Sequence, residues 1–229
     1  MLLRALSLAF LLSTAAPSQD RLYLICLRPD PARTSLAPGE ADRIQTAHMA
    51  NIHAMADRGT LVAAGPFGDT PTTISGIFFF KAASLDEARR IAVQDPTVAE
   101  HRNTVDVHSW SAPKGIGEEY VRLHKADPKT PEGMGIQPLT MLYRGSAWDP
   151  QSPVLAAQSE YLARLRGEGK LAAAGAIEND ADGMQHLVIF KRIPPEEAQR
   201  LMEESPAVKA GVLRAEHHRW WCADHVLPW

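Results

Sequence analysis

Two residues in the first half of the chain have the types that proton transfer needs. His48 carries an imidazole, a group that can take up a proton and return it. Asp95 is a carboxylate, able to hold an imidazole in one tautomer and favour its charged form. His48 falls on the apolar stripe that Ile44, Ile52 and Met55 make at helical spacing, so it points inward. A buried polar group without a partner costs about 1–3 kcal/mol, and something must satisfy it. Asp95 precedes Pro96, the pattern of a helix N-cap followed by proline at the first helical position. Plainer roles exist for both: a core histidine bonded to a backbone carbonyl, and a cap worth about 1 kcal/mol.

The elements that would position this pair occur twice. Gly59-Thr60-Leu61-Val62-Ala63-Ala64-Gly65 recurs as Gly169-Lys170-Leu171-Ala172-Ala173-Ala174-Gly175, an offset of 110 positions. Phe80-Lys81, Glu87-Ala88, Pro96, Val98, His108 and Trp110 recur at the same offset, as Phe190-Lys191, Glu197-Ala198, Pro206, Val208, His218 and Trp220. One offset held across so many positions marks an internal duplication. Each copy opens with an apolar strand (22–27, then 139–143). A helix follows (about 39–58, then 152–168) and ends at Gly59 or Gly169, which suit a left-handed cap. Strands at 61–65 and 76–81, mirrored at 171–175 and 186–191, lead to a second helix near Ser84 or Pro194. A short helical turn and a closing strand complete each copy.

That order is β-α-β-β-α-β, the ferredoxin-like arrangement within the α+β class. It leaves one sheet face bare of helices, and a second copy can cover it. The expected architecture is therefore two units, 20–112 and 138–229, packed sheet to sheet as an internal pseudo-dimer. Residues 113–137, rich in Gly, Pro, Lys and Glu, read as a linker. Whether the pseudo-dimer pairs again with a second chain stays open.

Only the first copy carries the His–Asp pair. Gln158 and Ser205 stand at the matching positions of the second, so both members changed together. Gly65, Pro66 and Phe67 make a loop between strands that should shape a pocket wall rather than bind phosphate. No Gly-x-Ser-x-Gly elbow, Walker loop or dinucleotide fingerprint is present. His217 and His218 alternate to opposite faces of a strand and cannot easily share an ion, so no metal site is expected. No cofactor is implied either. The net charge of −3 supplies no basic stripe for nucleic acid and no polybasic membrane patch.

The first 19 residues read as an export signal, with cleavage near Ala16. Arg4 is followed by the apolar run Ala5–Leu12, then by small residues up to Ala16 and by Pro17. The run is too short to span a bilayer, so no stable membrane anchor is expected and the mature protein should be periplasmic or secreted. Export would place Cys26 and Cys222 where one disulfide can form; two separate buried thiols are the alternative.

At these residues the chain resembles the YciI-like (YCII-related) family. The matching text is His48, Gly59 eleven residues on, Leu61 to Gly65-Pro66-Phe67, Asp95-Pro96, and the closing strand to Trp110. The resemblance implies the dimeric α+β barrel fold and a His–Asp active site, which carries over to His48 and Asp95. It also implies a small-molecule substrate; a dehydrochlorinase acting on a chlorinated hydroxyhydroquinone resembles this family. Gln158, Ser205, Ala176 and Ile177 depart from the pattern in the second copy. The implied function is an elimination or isomerisation of a small cyclic substrate, or else a non-catalytic ligand-binding or structural module.

Overall fold

A computed structural model describes residues 21–69, 73–179 and 182–228. The proposed export signal lies outside the described residues. The first unit comprises β1 (Arg21–Pro29), α1 (Glu40–Asp57), β2 (Leu61–Pro66), β3 (Gly76–Ala82), α2 (Leu85–Ala92), α3 (Pro96–Ala99) and β4 (Asn103–Trp110). A helix, α4 (Glu118–Ala126), joins it to the second unit. That unit comprises β5 (Met134–Arg144), α5 (Val154–Gly167), β6 (Leu171–Ala176), β7 (Met184–Phe190), α6 (Pro195–Glu203), α7 (Pro206–Lys209) and β8 (Leu213–Ala223). The units are antiparallel sheets of matching order, β2-β3-β1-β4 and β6-β7-β5-β8. Gly59 and Gly169 both take φ of 71° after their helices, as the repeat predicts.

Side chains alternate across a strand, and here both faces are covered. Leu24, Phe79 and Trp110 meet Leu139, Ile189 and Trp220 in a core between the sheets. The neighbouring positions Ile25, Phe78 and Phe80 turn the other way and pack with Met55, Ala88 and Ala92 under the helices. Such double burial is why the strands read as continuous apolar runs. Cys26 and Cys222 lie in the inter-sheet core as free thiols, so the disulfide left open by the sequence is not formed. Burial pushes the Cys222 thiol up to about 12 and Cys26 well above the usual thiol range.

The sheet edges clasp each other reciprocally. Phe67 bridges to Trp220 and Trp110 bridges to Ile177, the same contact made twice. The Gly68 amide donates to the Arg219 carbonyl at 2.8 Å, and the Ser111 amide donates to the Ala176 carbonyl at 2.9 Å. Gly65 and Gly175 allow these approaches. A Cβ at Gly65 would fall 1.6 Å from the Trp221 carbonyl oxygen, and one at Gly175 would fall 2.1 Å from that of Ser111. Backbone cannot yield as a flexible side chain can. Gly65→Ala should therefore cost about 3 kcal/mol or more, read as a fall in the thermal midpoint.

The interval read as a linker is more structured than its composition implies. Gly117 enters α4 with φ of 76°, Glu118 and Glu119 occupy its first turn, and His124 and Lys125 its last, as the helix dipole favours. The C-terminal segment holds the helix in place. Gly117 N–H donates to the Val226 carbonyl at 2.7 Å, and Tyr120 N–H donates to that of His225 at 3.1 Å. The opening strand of the second unit also starts earlier than the apolar run suggests, at Met134.

Candidate functional site

α1 carries His48 on the face that packs toward β3, where the imidazole lies 5.9 Å from the ring of Phe78. α3 begins at the far end of that face, and its N-cap residue is Asp95. The two meet. His48 Nδ1 lies 2.9 Å from Asp95 Oδ1 and 2.8 Å from Oδ2. Asp95 is 1% exposed, and the His48 side chain 13%.

Capping and pairing are one arrangement here. Asp95 Oδ1 accepts from Thr97 N–H at 2.9 Å, capping α3, and from the Thr97 hydroxyl at 2.6 Å. Asp95 Oδ2 also accepts from the Asn51 amide at 3.2 Å. Burial acts to raise the Asp95 carboxyl, but the hydrogen bonds from His48 and Thr97 outweigh it and hold the group below the usual carboxylate range. The carboxylate is thus ionised near neutral pH and can only accept. His48 Nδ1 must donate, which leaves Nε2 as the basic nitrogen of the neutral ring.

Beside the pair is a cavity of about 400 Å³. Its wall is mostly apolar: His48 and Ile52 from α1, Pro66 from β2, Phe78 from β3, and Tyr120 and Val121 from α4. The Tyr120 hydroxyl donates to Glu132 at 3.1 Å; burial and that carboxylate push the phenol up to about 12.

Of the loop residues expected at the wall, Gly65 and Pro66 line the cavity. The glycine at 65, however, is required by the neighbouring strand rather than by a ligand. Phe67 does not line it. Its side chain turns into the inter-sheet core and stacks on His218 at 4.3 Å and 6°, because the clasp to Trp220 pulls the chain across.

The second unit shows what remains once the acid is lost. Gln158 is 1% exposed, and its Oε1 accepts from Ala207 N–H at 3.1 Å. It caps α7 from the position matching His48. Ser205, which stands where Asp95 caps the first unit, instead donates its hydroxyl to the Met202 carbonyl at 2.7 Å. Asn51 and Thr97 escape sequence reasoning, although they stand three residues after His48 and two after Asp95. Their counterparts are Tyr161 and Ala207, so the whole cluster, not just the pair, is particular to the first unit. Tyr120 is legible only from the fold.

Residues 22–111 match the family model of the YCII-related domain. No curated protein matches the chain. Solved structures that resemble it include a protein assigned as a putative chlorite dismutase, with TM-score 0.51 and 9% identity, covering 91% of this chain and 95% of that one. Another is a heme-binding protein from Thermus thermophilus, with TM-score 0.50 and 14% identity, covering 88% of this chain and 92% of that one. At such identities the likeness is one of fold, the dimeric α+β barrel.

Proposed function

We propose, for a chain whose first unit matches the YCII-related domain, that this unit moves a proton on a small cyclic substrate. His48 Nε2 takes the proton as general base, and the resulting imidazolium returns it as general acid. Asp95 orients the ring and stabilises its charge. Eliminations and isomerisations suit this equipment, since each needs a proton removed from one atom and delivered to another or to a leaving group. The observation that carries the reading is the His48–Asp95 contact of 2.8 Å, beside a largely apolar cavity of ring-compound size. The deciding experiment is turnover of chlorinated and hydroxylated ring compounds by the wild-type protein and by His48→Ala. Activity surviving in the variant removes the proposal.

A ligand-binding or structural module is the rival. It draws on Gln158, which shows that a side chain from the first helix can serve the fold simply by capping the short one. Under that reading His48→Ala costs stability and nothing else.

Export belongs to the same proposal. The charged, apolar and small-residue regions of the first 19 residues support it. Mass spectrometry of protein recovered from a secreting host should give a mature chain beginning just after Ala16. An intact N-terminus on protein retained in the cytoplasm would contradict this.

A further inference from the structure

Both units place a histidine at the same site of their closing strand, and the two fare differently. His218 on β8 is pinned through Nδ1, which lies 3.0 Å from Asp69, and its ring stacks on Phe67. His108 on β4 is completely buried, and among the described residues neither of its ring nitrogens has a hydrogen-bond partner. The difference has a local cause. Asn179 stands where the first unit has Asp69, and its side chain is committed to the β4 backbone, accepting from Ser109 N–H and donating to the Val107 carbonyl. Position 179 therefore offers His108 no carboxylate of the kind Asp69 gives His218.

Two other carboxylates face the orphaned ring. Asp182 Oδ2 lies 3.7 Å from His108 Nε2, and Asp106 stands two residues earlier on the same face of β4. One donor atom from each of the three lies within 4.8 Å of the others. Asp182 belongs to the β6–β7 connection of the second unit, and its Oδ1 accepts from Met184 N–H at 3.1 Å, which fixes the direction of Oδ2. Arg28 already stands across the acids, with Nε on Asp106 and Nη2 3.4 Å from Asp182. Its side chain is 26% exposed and also bonds Tyr143, so a metal would have to displace it. None of the three donors lines the His48 cavity.

We propose that Asp106, His108 and Asp182 bind a divalent transition-metal ion of the zinc or manganese type, across the two units and in competition with Arg28. An imidazole nitrogen with two carboxylate oxygens suits such borderline ions. Bonds of about 2.1 Å would set the donors about 3.3 Å apart, so the His108–Asp182 pair, at 3.7 Å, need close only slightly and no pair by more than about 1.5 Å. The metal gives His108 its missing partner and replaces one cation between the acids by another. Removing Arg28 should therefore favour metal, whereas a purely structural ion pair makes no such prediction.

The test is titration of the chelator-treated whole chain with Zn²⁺ and with Co²⁺, the latter followed by its visible spectrum. One equivalent should bind, with a spectrum of nitrogen and oxygen ligation, and Zn²⁺ should raise the melting temperature. His108→Ala and Asp182→Asn should each weaken binding by at least about 100-fold, the upper end of the loss when an outer-shell partner is removed. Arg28→Gln should bind as tightly as the wild type or more tightly. Asp182→Asn, on a connecting loop, stands in if His108→Ala fails to fold. The proposal is overturned if the wild type takes up no stoichiometric ion, if binding survives both ligand variants, or if a folded Arg28→Gln loses it.

Discussion

Replacing His48 with alanine should lower turnover by about 10²–10⁴-fold, the range that a positioned acid–base group contributes. The fold should persist. Asp95 keeps its bonds from Thr97 and Asn51, so the loss of one partner costs about 1–3 kcal/mol. The informative control is Gln158→Ala at the matching position of the second unit. It removes the acceptor for Ala207 N–H, so α7 loses its cap at a cost of about 1 kcal/mol. Turnover should not change. Equal loss of activity in both variants would mean that the effect is one of stability, and the one-site assignment would fail.

Asp95→Asn separates the two duties of the carboxylate. The amide oxygen can still accept from Thr97 N–H, so the cap on α3 survives, but the charge that favours the imidazolium is gone. Turnover should drop about 100-fold or more, with a stability cost nearer 1 kcal/mol. Asp95→Ala loses cap and charge together and should cost about 2–4 kcal/mol. The pH dependence has a definite sign. The folded carboxyl titrates below its ordinary value, so its stabilisation is fully present above about pH 4–5 and disappears as pH falls through the folded pKa. Urea unfolding should therefore find the wild type more stable than Asp95→Asn at pH 5 and the two converging as the pH falls into acid. A gap that widened in acid would contradict the assigned direction.

Much of this architecture is legible in the sequence because duplication is a local signal repeated at one offset. Gly59 and Gly169, the strand order and the cap at Asp95 all follow from short-range rules. What escapes depends on contacts between distant segments. Phe67 reads as a pocket residue until Trp220 is known to draw it away. The polar composition of residues 113–137 hides α4, whose position is set by carbonyls near the C-terminus. Gln158 stands in the place of the histidine, yet it does the capping that Asp95 does in the first unit. The Asp106–His108–Asp182 group joins two units and has no spacing for a motif to describe.

The reciprocal clasp, made once by Phe67 with Trp220 and once by Ile177 with Trp110, has an evolutionary consequence. In a barrel assembled from two identical chains, every substitution arrives at both ends at once, and a change that helps one end must be tolerated at the other. Joining the halves in a single chain removes that coupling. Gln158 and Asn179 could arise on one side while His48 and Asp69 persisted on the other. Asymmetry then accumulates one mutation at a time: one half is free to specialise in chemistry while the other remains as scaffold.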